Sequence, residues 1–495
     1  MGFFRSPQGI GRGETAESRV EFPFFVAFML FSAVVLLVVH TMVRNDTITA
    51  ALAISMLLFG VTLVRVDIGV AVLVIAMLLS PEVTFGSEMS GEHELNVRYS
   101  DILIIVIFMG VLVKQAFEGQ AAFWRSCPIN AGIVAYYSVC IISTLLALRA
   151  NLPAWDRKSA FFVMMKMAEF YMVFFLIGTA MRDLKDIRKQ LRLYFVVLML
   201  VCGFCAWTVG SVARVGTPFE AQGSEPNTLG GYLMLSMCIS MGLFTRAQTP
   251  RRKLLLLILT GAAFFPFLYT LSRASYVALI VAFLTIGTLG RRYAIVAVVI
   301  LTVVAGPLLM PKEVIERVNY TFQQGSGEPI VVNGKDTGIQ VDKSTYERVY
   351  VWRKVGFLLQ VAPFFGGGVA WETVLDSQYA RVIMETGLFG LAAFLFLQIR
   401  LIMTCRQAFR WSRDWVGRGL ALGTTAATIG LSVHSLGTIS FLIGRIMEPY
   451  WFLVALTVVV RAVAIQEHAR QVQAQRQQPQ AAIQPRALQP SPYSA

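Results

Sequence analysis

The chain has 495 residues, of which 56% are hydrophobic and only 15% charged, and its mean hydropathy is +0.64. No soluble globular core needs that much apolar surface, and windows of about 18–20 apolar residues recur along the chain. This excludes a soluble enzyme and predicts an all-α, polytopic membrane protein. The net charge of +14 falls in short loops between apolar runs, the positive-inside pattern, so no nucleic-acid partner is expected.

Residues 1–21 are polar and read as a cytoplasmic N-terminus. The first apolar run, Phe22–His40, is followed by more spans and reads as an anchor, not a cleaved signal peptide. Ile48–Val64, Ile68–Ser80, Ile102–Phe117, Ile129–Leu148, Ala160–Met181, Tyr194–Val212 and Leu229–Phe244 come next. Leu254–Leu271, Tyr276–Leu289 and Tyr293–Met310 complete eleven predicted spans over 22–310. After a long polar segment, 311–381, three more follow within 382–463: Val382–Leu401, Leu420–Leu436 and Tyr450–Val463. The count is fourteen, in a range of twelve to fourteen because several runs are short. With both termini inside, most Lys and Arg lie in inside loops, and an even number of spans preserves that bias.

The long segment between the eleventh and twelfth spans is the one substantial piece outside the bilayer. Lys312–Phe322 reads as a short amphipathic helix, and Ile330–Val332 with Gly338–Val341 as a small hairpin. Tyr346–Val361 reads as a second amphipathic helix, ended by Pro363 and a Gly366–Gly368 run. The tail, 464–495, is rich in Gln, Ala and Pro and is expected to be disordered in the cytoplasm. No internal repeat points to a transporter built of two related halves. Cys202 and Cys205 have redox or metal spacing, but they sit mid-span without further ligands and read as small apolar residues.

Charge at or inside a span is costly, about 2.5–3.5 kcal/mol near the centre on insertion scales, and so marks function. On this topology the unusual charges share the outer side. Arg214 follows the seventh span, Arg273 sits in the tight Leu271–Tyr276 turn, and Arg348 and Asp376 lie in the long loop. Glu385 starts the twelfth span, His434 ends the thirteenth, and Arg445 and Glu448 lie in the turn before the last. Lys166 and Glu169 lie one to two turns below the outer end of the sixth span. Each has a structural reading beside the functional one. Lys166 and Glu169 are spaced as a self-neutralising pair, Glu385 as a dipole-favoured helix start, and His434 as a polar terminus. Arginines around one cavity suit an anion, because the guanidinium fork stays charged and binds phosphate oxygens in pairs.

These residues resemble a family. Leu271-Ser272-Arg273-Ala274-Ser275-Tyr276 is similar to the "SRxxx" signature of the O-antigen ligase and polymerase superfamily. Arg214-Val215-Gly216-Thr217 with Glu225-Pro226-Asn227 resembles its "R-x-G-T…P-N" segment. Arg348, Trp352, Pro363–Gly368, Asp376–Tyr379 and Glu385–Gly390 resemble its "R-x-x-x-W…P-x-x-G-x-G…H-N-x-x-L…E-x-G-x-x-G" run. The match spans roughly Arg214 to Val463. Where the ligases carry histidine this chain has Asp376, and an unperturbed aspartate is a weak base at neutral pH.

The resemblance implies a multi-helix bundle akin to integral-membrane (GT-C-like) glycosyltransferases, placed in a bacterial inner membrane with a periplasmic cavity. It implies no metal and no cofactor. The expected reaction is that of a polysaccharide polymerase for O-antigen, capsule or exopolysaccharide, moving a glycan from polyprenyl diphosphate onto an acceptor sugar hydroxyl. Arg214, Arg273, Arg348, Arg445 and Lys166 are the candidate diphosphate ligands. Asp376 is the candidate base, with Glu385 or His434 orienting groups or substituting for it. A chain-length regulator and a flippase are the protein partners such a polymerase implies. Two alternatives stay open: a ligase transferring to lipid A core or another acceptor, and a flippase or transporter of the lipid-linked oligosaccharide.

Overall fold

The computed structural model describes residues 46–83, 97–118, 127–150, 155–218, 225–309, 314–315, 328–332, 335–341, 343–371 and 377–481. The predicted span Phe22–His40, the helix Lys312–Phe322 apart from two of its residues, and Asp376 lie outside them.

The chain is α-helical, as expected. In order come α1 (Asp46–Val64), α2 (Val66–Leu79), α3 (Tyr99–Glu118), α4 (Asn130–Ala150), α5 (Arg157–Ala180), α6 (Leu184–Thr208) and α7 (Pro226–Arg246). Then follow α8 (Pro250–Leu268), α9 (Arg273–Leu289), α10 (Tyr293–Leu309), α11 (Lys343–Val361), α12 (Gln378–Trp411), α13 (Trp415–His434) and α14 (Gly444–Ala481). Seven of them, α3 to α7, α12 and α14, are long and apolar enough to cross a membrane. α1, α2, α9 and α10 supply shorter apolar stretches. This is an all-α, multi-pass membrane protein.

Polar residues set several helix starts by accepting bonds from the first free backbone N–H groups. Asp156 caps α5, Asp183 caps α6, Thr249 caps α8, Ser272 caps α9 and Asp414 caps α13. Two short antiparallel ladders interrupt the helices. β1 (Glu82–Val83) pairs with β2 (Val97–Arg98), which the sequence reading leaves as loop. β3 (Glu328–Val332) pairs with β4 (Lys335–Val341) where the hairpin is predicted, with a bulge after Pro329. α14 also differs from expectation, because it continues through Gln466–Ala481. Ala, Gln, Arg and Glu propagate a helix readily once a buried segment has nucleated it.

α7 and α14 form the centre. Over their spans they are 94% and 83% buried, against 33% for α3. α7 meets α13 backbone to backbone. A Cβ added at Gly242 would lie 2.5 Å from the Gly419 carbonyl and 2.6 Å from the Gly423 nitrogen, and one at Gly423 would lie 2.7 Å from the Cys238 carbonyl. Where lipid removes the hydrophobic drive between helices, small residues spaced four apart permit this close van der Waals contact. Hydroxyl pairs tie neighbouring helices at depth: Tyr194 to Ser236 at 2.7 Å, Ser240 to Thr260 at 2.7 Å, and Thr428 to Tyr450 at 3.0 Å.

The two ends of the bundle differ in charge. One gathers the starts of α3, α7, α9, α12 and α14 with the ends of α2, α8 and α13. The other is strongly basic and is laced by Arg188–Asp414 (2.5 Å), Lys189–Asp67 (3.0 Å) and the Arg400 Nε bond to the Pro128 carbonyl (3.0 Å).

The α7–α13 contact leads to a test. Gly242→Val overfills it and should cost several kcal/mol, since the clash is with backbone, which cannot swing aside. Gly261→Ala, where nothing lies within 4 Å of the added carbon, should raise stability slightly by helix propensity. Thermal unfolding of the detergent-solubilised variants, followed by size-exclusion, separates the two.

Candidate functional site

Three polar clusters occupy the end of the bundle where α9 and α12 begin. The first lies between α3, α5 and α14. Lys166 Nζ is 2.5 Å from Asp101 Oδ2 and 3.2 Å from Glu169 Oε2. Asp101, Glu169 and Glu448 offer carboxylate oxygens within 4.8 Å of one another, all buried. Lys166 stands among them as their cation. Arg98 and Arg445 also act on Glu448 electrostatically, so three acids face three bases. Both Glu448 oxygens are buried without a hydrogen-bond partner among the described residues. Arg445, 1% exposed, donates from Nη1 to the Leu78 carbonyl at 2.8 Å and from Nη2 to that of Ser80 at 3.3 Å, closing the last turn of α2. Lys166 and Arg445, both expected to bind diphosphate, are thus already engaged by side chains or by a helix end.

The second cluster surrounds the turn between α8 and α9. Arg214 reaches it from the loop after α6, donating from Nε to the Thr270 carbonyl (3.1 Å) and from Nη2 to that of Leu271 (3.4 Å). Its charge therefore sits at the negative end of the α8 dipole, two residues before Arg273. Arg273 is the first residue of α9 and half-buried. The turn is tight enough that Leu271 adopts a left-handed φ of 49°.

A chain of hydroxyls holds this turn in place. Ser275 Oγ donates to Ser272 Oγ, and Ser272 Oγ donates to Asn227 Oδ1, each at 2.8 Å. With its proton so used, Ser275 accepts from His434 Nε2 at 2.9 Å. That assignment leaves Nδ1 as the acceptor for Ser440 (2.7 Å), which in turn accepts from Thr438 Oγ1 (2.8 Å). His434 and Ser275 are fully buried. The pair has the spacing of a base and its nucleophile but the opposite polarity, because the imidazole donates. In this arrangement His434 positions the arginine turn, joining the end of α13 to the start of α9 and to the loop before α14.

The third cluster explains the Gly366–Gly368 run. Pro363–Gly368 lies against a break in α12 at Gly387, whose φ of 65° and ψ of −161° are non-helical. Four backbone bonds are exchanged: Gly367 to Met384 (2.9 Å), Gly368 to Glu385 (3.0 Å), Leu388 to Pro363 (2.9 Å) and Phe389 to Phe364 (3.2 Å). A Cβ on Gly387 would meet the Phe364 carbonyl at 2.4 Å, and one on Gly366 the Met384 carbonyl at 2.6 Å. Ser143 Oγ donates to the carbonyls of Phe365 and Glu385, both at 2.6 Å. Glu385 Oε1 accepts from Arg381 Nε (2.8 Å) and from the Ala370 N–H (2.9 Å). Glu385 therefore fixes the loop that leads toward Asp376. Gln378, just after that loop, docks on the His434 side, its N–H donating to the carbonyls of Ser435 (3.0 Å) and Thr438 (3.1 Å).

The structure thus brings Arg214, Arg273 and His434 into one cluster and ties the start of α12 to it, while Lys166 and Arg445 belong to the neighbouring one. The side chain of Arg348 and all of Asp376 lie outside the described residues. Sequence reasoning passed over Asp101, Arg98 and Ser440, and it held Asn227 and Ser275 within motifs without giving either a role. Asp101 and Arg98 look like ordinary loop polarity, and only the depth of Lys166 hints that a carboxylate must reach it. No protein-family model matches this chain, and no curated protein does.

The acid–base cluster is testable through stability. Lys166→Met leaves buried carboxylates without their nearest cation and should cost about 3–5 kcal/mol. Adding Glu169→Gln should restore part of the loss. Thermal unfolding of the two singles and the double measures the coupling.

Proposed function

We propose that the chain is a membrane glycosyltransferase of the polysaccharide-polymerase type, using a polyprenyl-diphosphate-linked glycan at the α9/α12 end of the bundle. The observation that carries this reading is the joining of two arginines from separate loops, Arg214 being bonded into the very turn from which Arg273 starts α9. The start of α9 has Arg273 as its first residue and the Arg214 charge held on the carbonyls of the turn before it. It is suited to a diphosphate, whose oxygens accept bonds from helix N–H groups and from a guanidinium.

In the proposed reaction the acceptor hydroxyl oxygen bonds to the anomeric carbon of the donor. The bond from that carbon to the phosphate oxygen breaks, and polyprenyl diphosphate leaves with the electron pair. Asp376 takes the hydroxyl proton. The diphosphate is a good leaving group, so the arginines need only balance its charge as the bond lengthens. Glu385, locked to Arg381 and Ala370, holds the loop that carries the base; His434 holds the arginine turn. α11 packs Val351 and Val355 on the first turns of α12 and exposes Tyr350 and Phe357 on another face. That face suits contact with lipid at the mouth of the site. The proposed setting is the periplasmic side of a bacterial inner membrane.

Deletion followed by analysis of lipid-linked and surface glycans tests the class. Surface chains reduced to single repeats support a polymerase, and a build-up of long polyprenyl-linked chains supports a ligase. An unchanged glycan profile is the result that defeats both. At residue level, Arg273→Ala should lower product formation tenfold or more, the loss of a charged hydrogen bond of about 1.5–3 kcal/mol. Arg273→Lys should recover only part of it, because an ammonium lacks the fork. A lipid-linked oligosaccharide transporter would instead keep its transport rate when Asp376→Ala is introduced.

A further inference from the structure

The opposite end of the bundle holds a feature that glycan transfer leaves unused. The last residue of α7, the α9–α10 turn, the final turns of α12 and the first three turns of α13 border a cavity of about 520 Å³. Six arginines line it: Arg246, Arg291, Arg292, Arg406, Arg410 and Arg418. No acidic residue is among the lining residues.

Like charges gathered in one cleft repel one another, and here the guanidinium groups are held in place. Arg246 and Arg418 both lie over the Phe409 ring, at 4.9 and 5.2 Å from its centroid, and Arg246 also donates to the Gly290 carbonyl at 2.9 Å. Arg292 donates to the Thr245 carbonyl at 3.3 Å. These anchors fix the forks against the electrostatic effect of Arg292 and Arg418 on Arg246. The Nε–H groups of Arg246 and Arg418 are buried with no acceptor among the described residues. A buried donor on a charged group that lacks an acceptor is costly, and six guanidinium groups lining one cavity without a carboxylate point to an anion supplied from outside.

The backbone carries a separate sign. α9 ends in a motif where Arg291 N–H bonds to Thr288 and Arg292 N–H to Gly287. The position after the helix cap calls for left-handed backbone, usually given by glycine. Arg291 occupies it with φ 52°. An arginine at that position carries local strain that a glycine would not.

The geometry points to a binding site for an anionic phosphate group, with Arg246 and Arg418 as its floor and Arg291 at its mouth. Two sources present that chemistry at a bundle end, an anionic phospholipid headgroup and a soluble pyrophosphate-like anion. This site is independent of the glycan-transfer reading and stands whether or not that reading holds.

The test uses the full chain in neutral detergent and follows thermal unfolding. One arm titrates phosphatidylglycerol against phosphatidylcholine in mixed micelles; the other titrates inorganic pyrophosphate against sulfate at matched ionic strength. A rise in unfolding temperature with phosphatidylglycerol alone assigns the lipid, with pyrophosphate alone the soluble anion, and with both a site that accepts either. Arg418→Gln should raise the half-saturating concentration about tenfold, the scale of one charged hydrogen-bond contact. Lys253→Gln removes an exposed charge outside the cavity and should leave that concentration unchanged. Arg291→Gly should move two readouts in opposite senses, raising the ligand-free unfolding temperature by relieving φ while weakening the anion response. Because this variant relieves strain, it guards against simple misfolding. No stabilisation of the native chain by either anion overturns the proposal. So does a Arg418→Gln or Arg291→Gly response equal to that of Lys253→Gln.

Discussion

The charge pairs of this bundle answer one constraint: an ionised group among apolar helices must bring its own counter-charge or dipole, because no water is there to do so. Lys166 meets that demand with Asp101 from α3 and Glu169 from its own helix, and Glu448 from α14 faces the same group. The partners come from different helices, so satisfying the charge also fixes how α3, α5 and α14 stand relative to each other. Arg445 works in the same way, using the exposed carbonyls at the end of α2 in place of a carboxylate. Such pairs contribute less to stability than to register, since their attraction is offset by the cost of removing both groups from water.

The same end shows how backbone can be shaped where side chains alone would not suffice. α12 is interrupted at Gly387, and the freed carbonyls and N–H groups are taken up by the loop around Gly366–Gly368. Irregular backbone at such a depth is tolerated when protein surrounds it and every polar group finds a partner. Three glycines with positive φ make the interlock possible, and Ser143 and Trp155 pin it from α4 and from the residues before α5. The result is a rigid joint between Pro363–Ala370 and the first turns of α12.

Much of this was legible in the sequence, for reasons that can be stated residue by residue. Periodicity and length disclosed the apolar helices. Pro363 and the Gly366–Gly368 run announced a break, and the β3–β4 hairpin followed from the runs Ile330–Val332 and Gly338–Val341, although β4 starts earlier, at Lys335. What escaped was pairing at long range. Nothing local to Gly387 says that Pro363 and Phe364 will bond across its kink. Nothing near His434 names Ser275, 159 residues away in sequence. Asn227 and Ser272 stood within motifs, but serines and asparagines are common at helix ends, and nothing in the sequence paired the two before the fold placed them in one chain of hydroxyls. The Gln-rich run after Val463 misled for a different reason. Its composition is poor in hydrophobic residues, yet a helix already nucleated upstream needs only good propensity to continue.

That continuation has a mechanical side. At 1.5 Å per residue, the 38 residues of α14 make a rod about 57 Å long, nearly twice the thickness of a hydrocarbon layer. Glu448 and Arg445 sit on its first two turns, and the hydrophilic run from Gln466 to Ala481 forms its far end. A stiff rod gripped at one end transmits rotation to the other. Whatever holds the far end of α14 therefore also has leverage on the charge cluster at its base.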